Sequence, residues 1–212
     1  MKKSLFLSCL VISGFVFLLG IAGCLSVPNS PNPRFYMLKA MDRPEAGQVF
    51  SVPAGTIISI GPVDVPEYQN RPQIVTQDKN KMLNVAQFDR WGEQLNIAIT
   101  RILIENLTVL LPDANFELFP ASFAIPVNYQ VIVDIVQLES NLDNEVFFAA
   151  QWSIIRDTDR RMMLNKRYEA RQPVKPNSYS GLVKALSDIC ASFSQEIAKE
   201  FSALPVPDAT QK

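Results

Sequence analysis

The stretch QFDRWGEQLNIAITRILIENLTVLL, residues 87 to 111, reads as one long helix, and its reading decides the fold. At about 100° per residue, Phe88, Trp91, Leu95, Ala98, Ile99, Ile102, Leu103, Val109 and Leu110 fall on one stripe. Arg90, Glu93, Thr100, Arg101 and Thr108 oppose them, and Pro112 stops the helix because it cannot donate a backbone hydrogen bond. Phe88 and Trp91 are expected to staple the helix start onto a sheet. Asn106 lies inside the apolar stripe, which predicts a buried amide with its hydrogen bonds satisfied. Ile97 and Ile104 lie on the polar face, as plain surface residues or as an outer face that touches a partner or a second subunit.

Downstream of this helix, three segments alternate with period two: residues 127–140, 145–158 and 161–174. In the first, Val127, Tyr129, Val131, Val133 and Ile135 share a face. In the last, Met162, Leu164, Tyr168 and Ala170 oppose Arg161, Asn165, Arg167, Glu169 and Arg171. The linkers NLDN and DTDR have hairpin length and turn-prone residues, so the three form an antiparallel meander. A second helix, SYSGLVKALSDICASFSQEIAKEFSAL, carries Leu182, Leu186, Ile189, Cys190, Phe193, Ile197 and Phe201 on one stripe and covers one face of the meander. Cys190 on that stripe is expected to be a buried, inert thiol.

Upstream, RFYML (34–38) is a short strand and TIISIGPVDVPEY (56–68) a second one, ended by Pro62 and Pro66. Pro72 fixes an extended turn and Ile74 with Val75 return a short strand. The order strand, strand, helix, strands, helix predicts an α+β, two-layer domain over residues 34–204, with a mainly antiparallel sheet and two long amphipathic helices on one face. Residues 205–212 are expected to be a flexible tail.

The first 24 residues have different physical jobs. Lys2 and Lys3 precede the apolar run LFLSCLVISGFVFLLGI, which has the pattern of a secretory signal over residues 1–23. Ile21-Ala22-Gly23-Cys24 resembles the lipobox of bacterial lipoproteins, which implies acylation of Cys24 as the first residue of the mature chain. Residues 24–33 are then a lipidated N-terminus and tether, with LSVPNSPNP lacking apolar periodicity. Leu25 stands where an Asp would mark retention at the inner membrane, so the resemblance implies the periplasmic face of the outer membrane.

Removing residues 1–23 leaves 189 residues with 18 basic and 21 acidic side chains and no basic block, which argues against nucleic acid as a partner. Cys190 is then the one cysteine of the body, so stability rests on the core rather than on an intrachain disulfide. The chain has no histidine, which removes His-based triads and two-His zinc sites. Gly47, Gly55, Gly61, Gly92 and Gly181 are too scattered for a phosphate-cradling loop. Glu67, Asp78, Asp89 and Glu93 are expected to be solvated surface acids, and neither an enzymatic activity, a metal nor a cofactor beyond the lipid on Cys24 is expected.

One segment is unusually decorated, EYQNRPQIVTQDKNKMLNVAQFDRWGEQL, residues 67–95, and it reads either as scaffold leading into the helix or as a partner surface. Tyr68, Arg71 and Gln73 are its candidates for contact with a partner, Arg71 offering a planar fork for a carboxylate. FYML, GPVDVPEY, NRPQIVTQ, RWGEQL and the final YSGLVKALSDICASFSQEIAKEF together resemble the ABC-type transport auxiliary lipoproteins, the PqiC- or YmbA-like proteins, over essentially the whole mature chain. The resemblance implies an outer-membrane lipoprotein that works with an MCE-domain periplasmic protein in lipid movement, and a homo-oligomer. Two other readings remain open: a periplasmic lipid-binding carrier with its own cavity between helices and sheet, and an outer-membrane assembly or cell-wall synthase activator of similar build.

Overall fold

The computed structural model of the chain describes residues 31–43, 49–120 and 126–204. The signal, Cys24 and the tail 205–212 lie outside them. Residues 33–212 form one unit separate from 1–32.

Among the described residues, eight strands and two helices follow in the order β1 (Arg34–Tyr36), β2 (Thr56–Asp64), β3 (Gln73–Gln77), β4 (Leu83–Trp91), α1 (Leu95–Leu110), β5 (Ala114–Leu118), β6 (Tyr129–Ser140), β7 (Glu145–Arg156), β8 (Arg161–Pro173) and α2 (Tyr179–Ala203). The strands make two sheets, one ordered β1-β4-β3 and one ordered β5-β2-β6-β7-β8. This is an α+β fold, and its sheets are mixed: β2 runs parallel to both β5 and β6, and β1 parallel to β4, while β6, β7 and β8 form the expected antiparallel meander.

Both helices cover one face of the five-stranded sheet. Ile60, Val131 and Ile154 stand in one row across β2, β6 and β7. Their side chains have no accessible surface, nor do those of Ile99, Ile102, Leu103 and Leu107 from α1 or Leu186, Phe193 and Ile197 from α2. Trp152 and Phe148 of β7 meet Phe193 with ring centroids 5.8 Å apart, and Tyr168 of β8 stacks on it at 4.7 Å. The opposite face is polar: Asn165 donates to Ser153 at 2.8 Å, and the Arg171 guanidinium lies 4.1 Å over the Phe147 ring.

Four local readings change. Phe88 to Trp91 belong to β4 rather than to the helix, because β1 and β3 flank that segment and supply ladder hydrogen bonds that a helical period cannot anticipate. Thr100, expected on the polar face, is buried and returns its hydroxyl to the Asn96 carbonyl at 2.7 Å. Strand β2 passes through Pro62 instead of ending there: the register shifts between Ile60 and Val63, and a bulge tolerates a residue without an N–H. Met162 is exposed, since a register shift opposite Ile154 and Ile155 reverses its side relative to Leu164.

The α1–α2 seam is polar at one point. Asn106 accepts from the Met41 amide at 2.8 Å and donates to Ser194 at 3.2 Å, so its amide is buried and satisfied. Cys190 is fully buried beside it, and burial pushes its thiol from 9.0 up to about 12. The unfolded chain releases this proton near pH 9 while the native chain keeps it. Stability is therefore expected to be unaffected by this group below pH 9 and to fall by on the order of 1.4 kcal/mol per pH unit above it. Denaturant unfolding at stepped pH, compared with Cys190→Ala, measures this. The variant should lack this slope between pH 9 and 10, above which Tyr168, also held up to about 12 by burial, adds its own.

Candidate functional site

Three exposed regions of the described residues bear on function. The first is a strap, residues 34–43. Its backbone is held at successive points: the Gly92 amide donates to the Tyr36 carbonyl at 2.8 Å, Arg101 donates to the Leu38 carbonyl at 3.4 Å, and the Lys39 and Met41 amides donate to Ser187 of α2 and Asn106 of α1 at 3.1 and 2.8 Å. At its start Arg34 and the Tyr36 hydroxyl each donate to Asp89 at 2.8 Å. Asp89 is thus a buried, doubly bonded carboxylate and not the solvated acid its sequence context suggests. Its hydrogen bond, and then its charge, raises the Arg34 pKa, whereas Tyr36 is raised first by burial and then by its bond to Asp89.

With the strap pinned, Tyr36 and Leu38 turn inward and Phe35 and Met37 turn outward, 65% and 57% exposed. Beside them a cleft of about 430 Å³ lies between the strap and α2, lined by Met37, Met41, Val183, Ser187 and Asp188 among others. Reading RFYML as a strand did not mark Phe35 and Met37 as surface residues. The signal was present: every second position on both faces is apolar, in a strand too short to be covered on both sides.

The second region is the decorated segment. Tyr68 is half-buried and its hydroxyl donates to the Leu138 carbonyl at 3.1 Å, the same carbonyl that takes the buried Gln69 amide at 3.0 Å. Burial, then the nearby Glu139, raises its phenol pKa. These bonds clamp the β2–β3 connection onto β6. Arg71 is exposed and leans toward the half-buried Gln73 at 3.4 Å, and Gln73 pairs with Arg90 across the bulged β3–β4 ladder. Among the former acid candidates, Asp78 caps the following turn by accepting from the Asn80 and Met82 amides at 2.8 and 2.9 Å, and Glu93 accepts from Arg101 at 2.7 Å. Glu67 remains exposed.

The third region is the outer face of α1. Ile97 is half exposed, but Ile104 is partly buried against the core, so the two isoleucines do not form one open stripe. The structure thus keeps Tyr68 and Arg71 on the β2–β3 connection with Gln73 at the start of β3, and places Ile97 and Ile104 on α1.

Among the described residues no three acidic or cysteine side chains converge to hold a metal, and no helix is long and apolar enough to cross a membrane. A comparison with curated proteins yields no match. Among solved structures, a protein of uncharacterized function superposes with a TM-score of 0.66 at 18% identity, covering 81% of this chain and 100% of its own. A DUF330 protein from Xanthomonas campestris superposes with a TM-score of 0.63 at 10% identity, covering 78% and 92%. At such identities these likenesses concern the fold. The family described as the ABC-type transport auxiliary lipoprotein component matches residues 36–198, from the first pinned residue of the strap through the seam of α2, and the chain belongs to that family.

Proposed function

We propose that the protein is a non-enzymatic accessory lipoprotein that docks an MCE-type, ABC-linked intermembrane lipid transport complex and helps maintain the envelope. Acyl chains on Cys24 hold it at the periplasmic face of the outer membrane, as a homo-oligomer around the outer-membrane end of the conduit. The family match over residues 36–198 carries this reading. Tyr68, Arg71, Gln73, Ile97 and Ile104 are its contact residues, of which Arg71 and Ile97 are the exposed ones.

The rival reading, a carrier with its own cavity, needs hollow space between helices and sheet. That interface is filled by Phe148, Trp152, Phe193, Ile102, Leu103 and Leu107, none more than 1% exposed. A close-packed interior of this kind has no room for an acyl chain without displacing side chains, which favours docking.

Affinity purification of the tagged, full-length lipoprotein from mildly crosslinked membranes tests the proposal. Recovery of an MCE-domain protein is expected, weakened by Arg71→Ala. Cys24→Ser should shift the protein to the soluble fraction, because at about 0.8 kcal/mol per buried methylene two or more acyl chains are an effectively permanent anchor. Native mass spectrometry showing a stably bound phospholipid, with no MCE-domain protein recovered, would establish the carrier instead.

A further inference from the structure

Phe35 and Met37 are large exposed apolar side chains at alternate positions of the strap, which has no freedom to turn them inward. Its backbone is tied to Gly92, Arg101, Ser187 and Asn106, and the inward positions are filled by Tyr36 and Leu38. Single exposed apolar residues need no explanation, but an adjacent, immobilised pair of an aromatic and a methionine does. Arg34, Lys39 and Arg43 are exposed on the same segment, Arg34 bonded to Asp89 at 2.8 Å and Lys39 to Asp42 at 3.1 Å. An exposed aromatic and methionine beside a cationic side chain are complementary to an anionic phospholipid surface.

Chain length supplies the third argument, and it rests on the reading of Cys24 as the acylated residue. Arg34 lies ten positions after Cys24, so the strap cannot lie more than about 35 Å of chain from the anchor. The strap is therefore the first part of the folded body that the tether delivers to the bilayer.

We propose that the strap Arg34–Arg43 is a membrane-contact edge. Phe35 and Met37 enter the headgroup boundary of the leaflet that holds the acyl chains, while Arg43 faces lipid phosphates. The contact converts a loose tether into a fixed orientation of the body, which a docking protein needs and a freely swinging one lacks.

The test uses the full lipoprotein, its acylation verified by intact mass, in vesicles of phosphatidylethanolamine and phosphatidylglycerol. An environment-sensitive fluorophore is attached at Met37→Cys, with Met162→Cys on β8 as the reference; Cys190 is buried and does not compete for label. Nitroxide-bearing lipids should quench the reporter at 37 several times more strongly than that at 162, and Phe35→Ser should reduce the difference. Phe35 is exposed, so that change leaves folding intact. Equal quenching at both sites in an acylated, vesicle-bound protein overturns the proposal and leaves the anchor reading standing. A blue-shifted but unquenched reporter at 37 also overturns it, since a protein surface then covers the strap. A mature chain without acyl mass fails the lipoprotein reading itself, and this proposal with it.

Discussion

Phe193→Ala is expected to lower the unfolding free energy by about 3–5 kcal/mol, the usual range for deleting a buried aromatic side chain. The position is a demanding case within that range. Phe193 has no accessible surface, and its ring contacts three others, Phe148, Trp152 and Tyr168, drawn from two strands. Those rings are held by antiparallel ladders on either side of β7 and cannot collapse into the void, so the cavity persists. For a chain of this size the loss corresponds to a fall in Tm of roughly 6–20 °C, read by calorimetry or circular dichroism. Phe193→Leu should cost markedly less, because most of the volume is retained. A loss below about 1 kcal/mol for the alanine variant would mean that α2 does not seat on the meander as described.

Gly181→Ala is expected to destabilise by about 3 kcal/mol, against the sign that helix propensity predicts. In the first turn of α2 alanine should be favoured over glycine by about 1 kcal/mol. A Cβ at this position, however, would stand 1.9 Å from the Pro176 carbonyl oxygen and 3.0 Å from the Lys175 carbonyl carbon, both backbone atoms. The loop cannot retreat freely, because Ser178 caps the helix by accepting from the Gly181 amide at 3.2 Å. Overpacking against backbone therefore outweighs the propensity gain. Gly55→Ala is the comparison: its φ of +80° strains any side chain, but a Cβ there meets nothing within 4 Å, so about 1–2 kcal/mol is expected. Thermal unfolding of the two variants side by side decides the point, and a Gly181→Ala protein as stable as the parent would refute the close approach.

Much of the architecture is legible in the residues. The meander reads to within two residues at each end, and every residue of the α2 stripe, from Leu182 to Phe201, is buried. Asn106 and Cys190 behave as their positions on apolar stripes imply. The candidate surface is less legible. Arg71 and Ile97 are exposed, but Tyr68 and Ile104 are partly engaged with the body, and Phe35 and Met37 emerge only once the strap is seen pinned across both helices. Surface contact depends on what packs behind a side chain, and neighbours in sequence do not report that.

What the sequence determined by itself is local: the periods of the strands and helices, the turn residues between them, the absence of histidine chemistry, and the lipobox-like start. Each follows from side-chain spacing within one element, and a period of 2 or 3.6 survives any arrangement of its neighbours. Tertiary structure alone decided the rest. Phe88 to Trp91 became strand because β1 and β3 bring ladder partners from 17 or more residues away, as in Gln73 opposite Arg90. Met162 changed sides because a register shift is a property of two strands. Asp89 became a buried carboxylate because Arg34 and Tyr36 arrive from the start of the domain. The physical reason is common to all three: alternation states which side chains share a face, while ladder partners, register and ion pairs are set by segments distant in the chain, whose pairing pattern no single segment encodes.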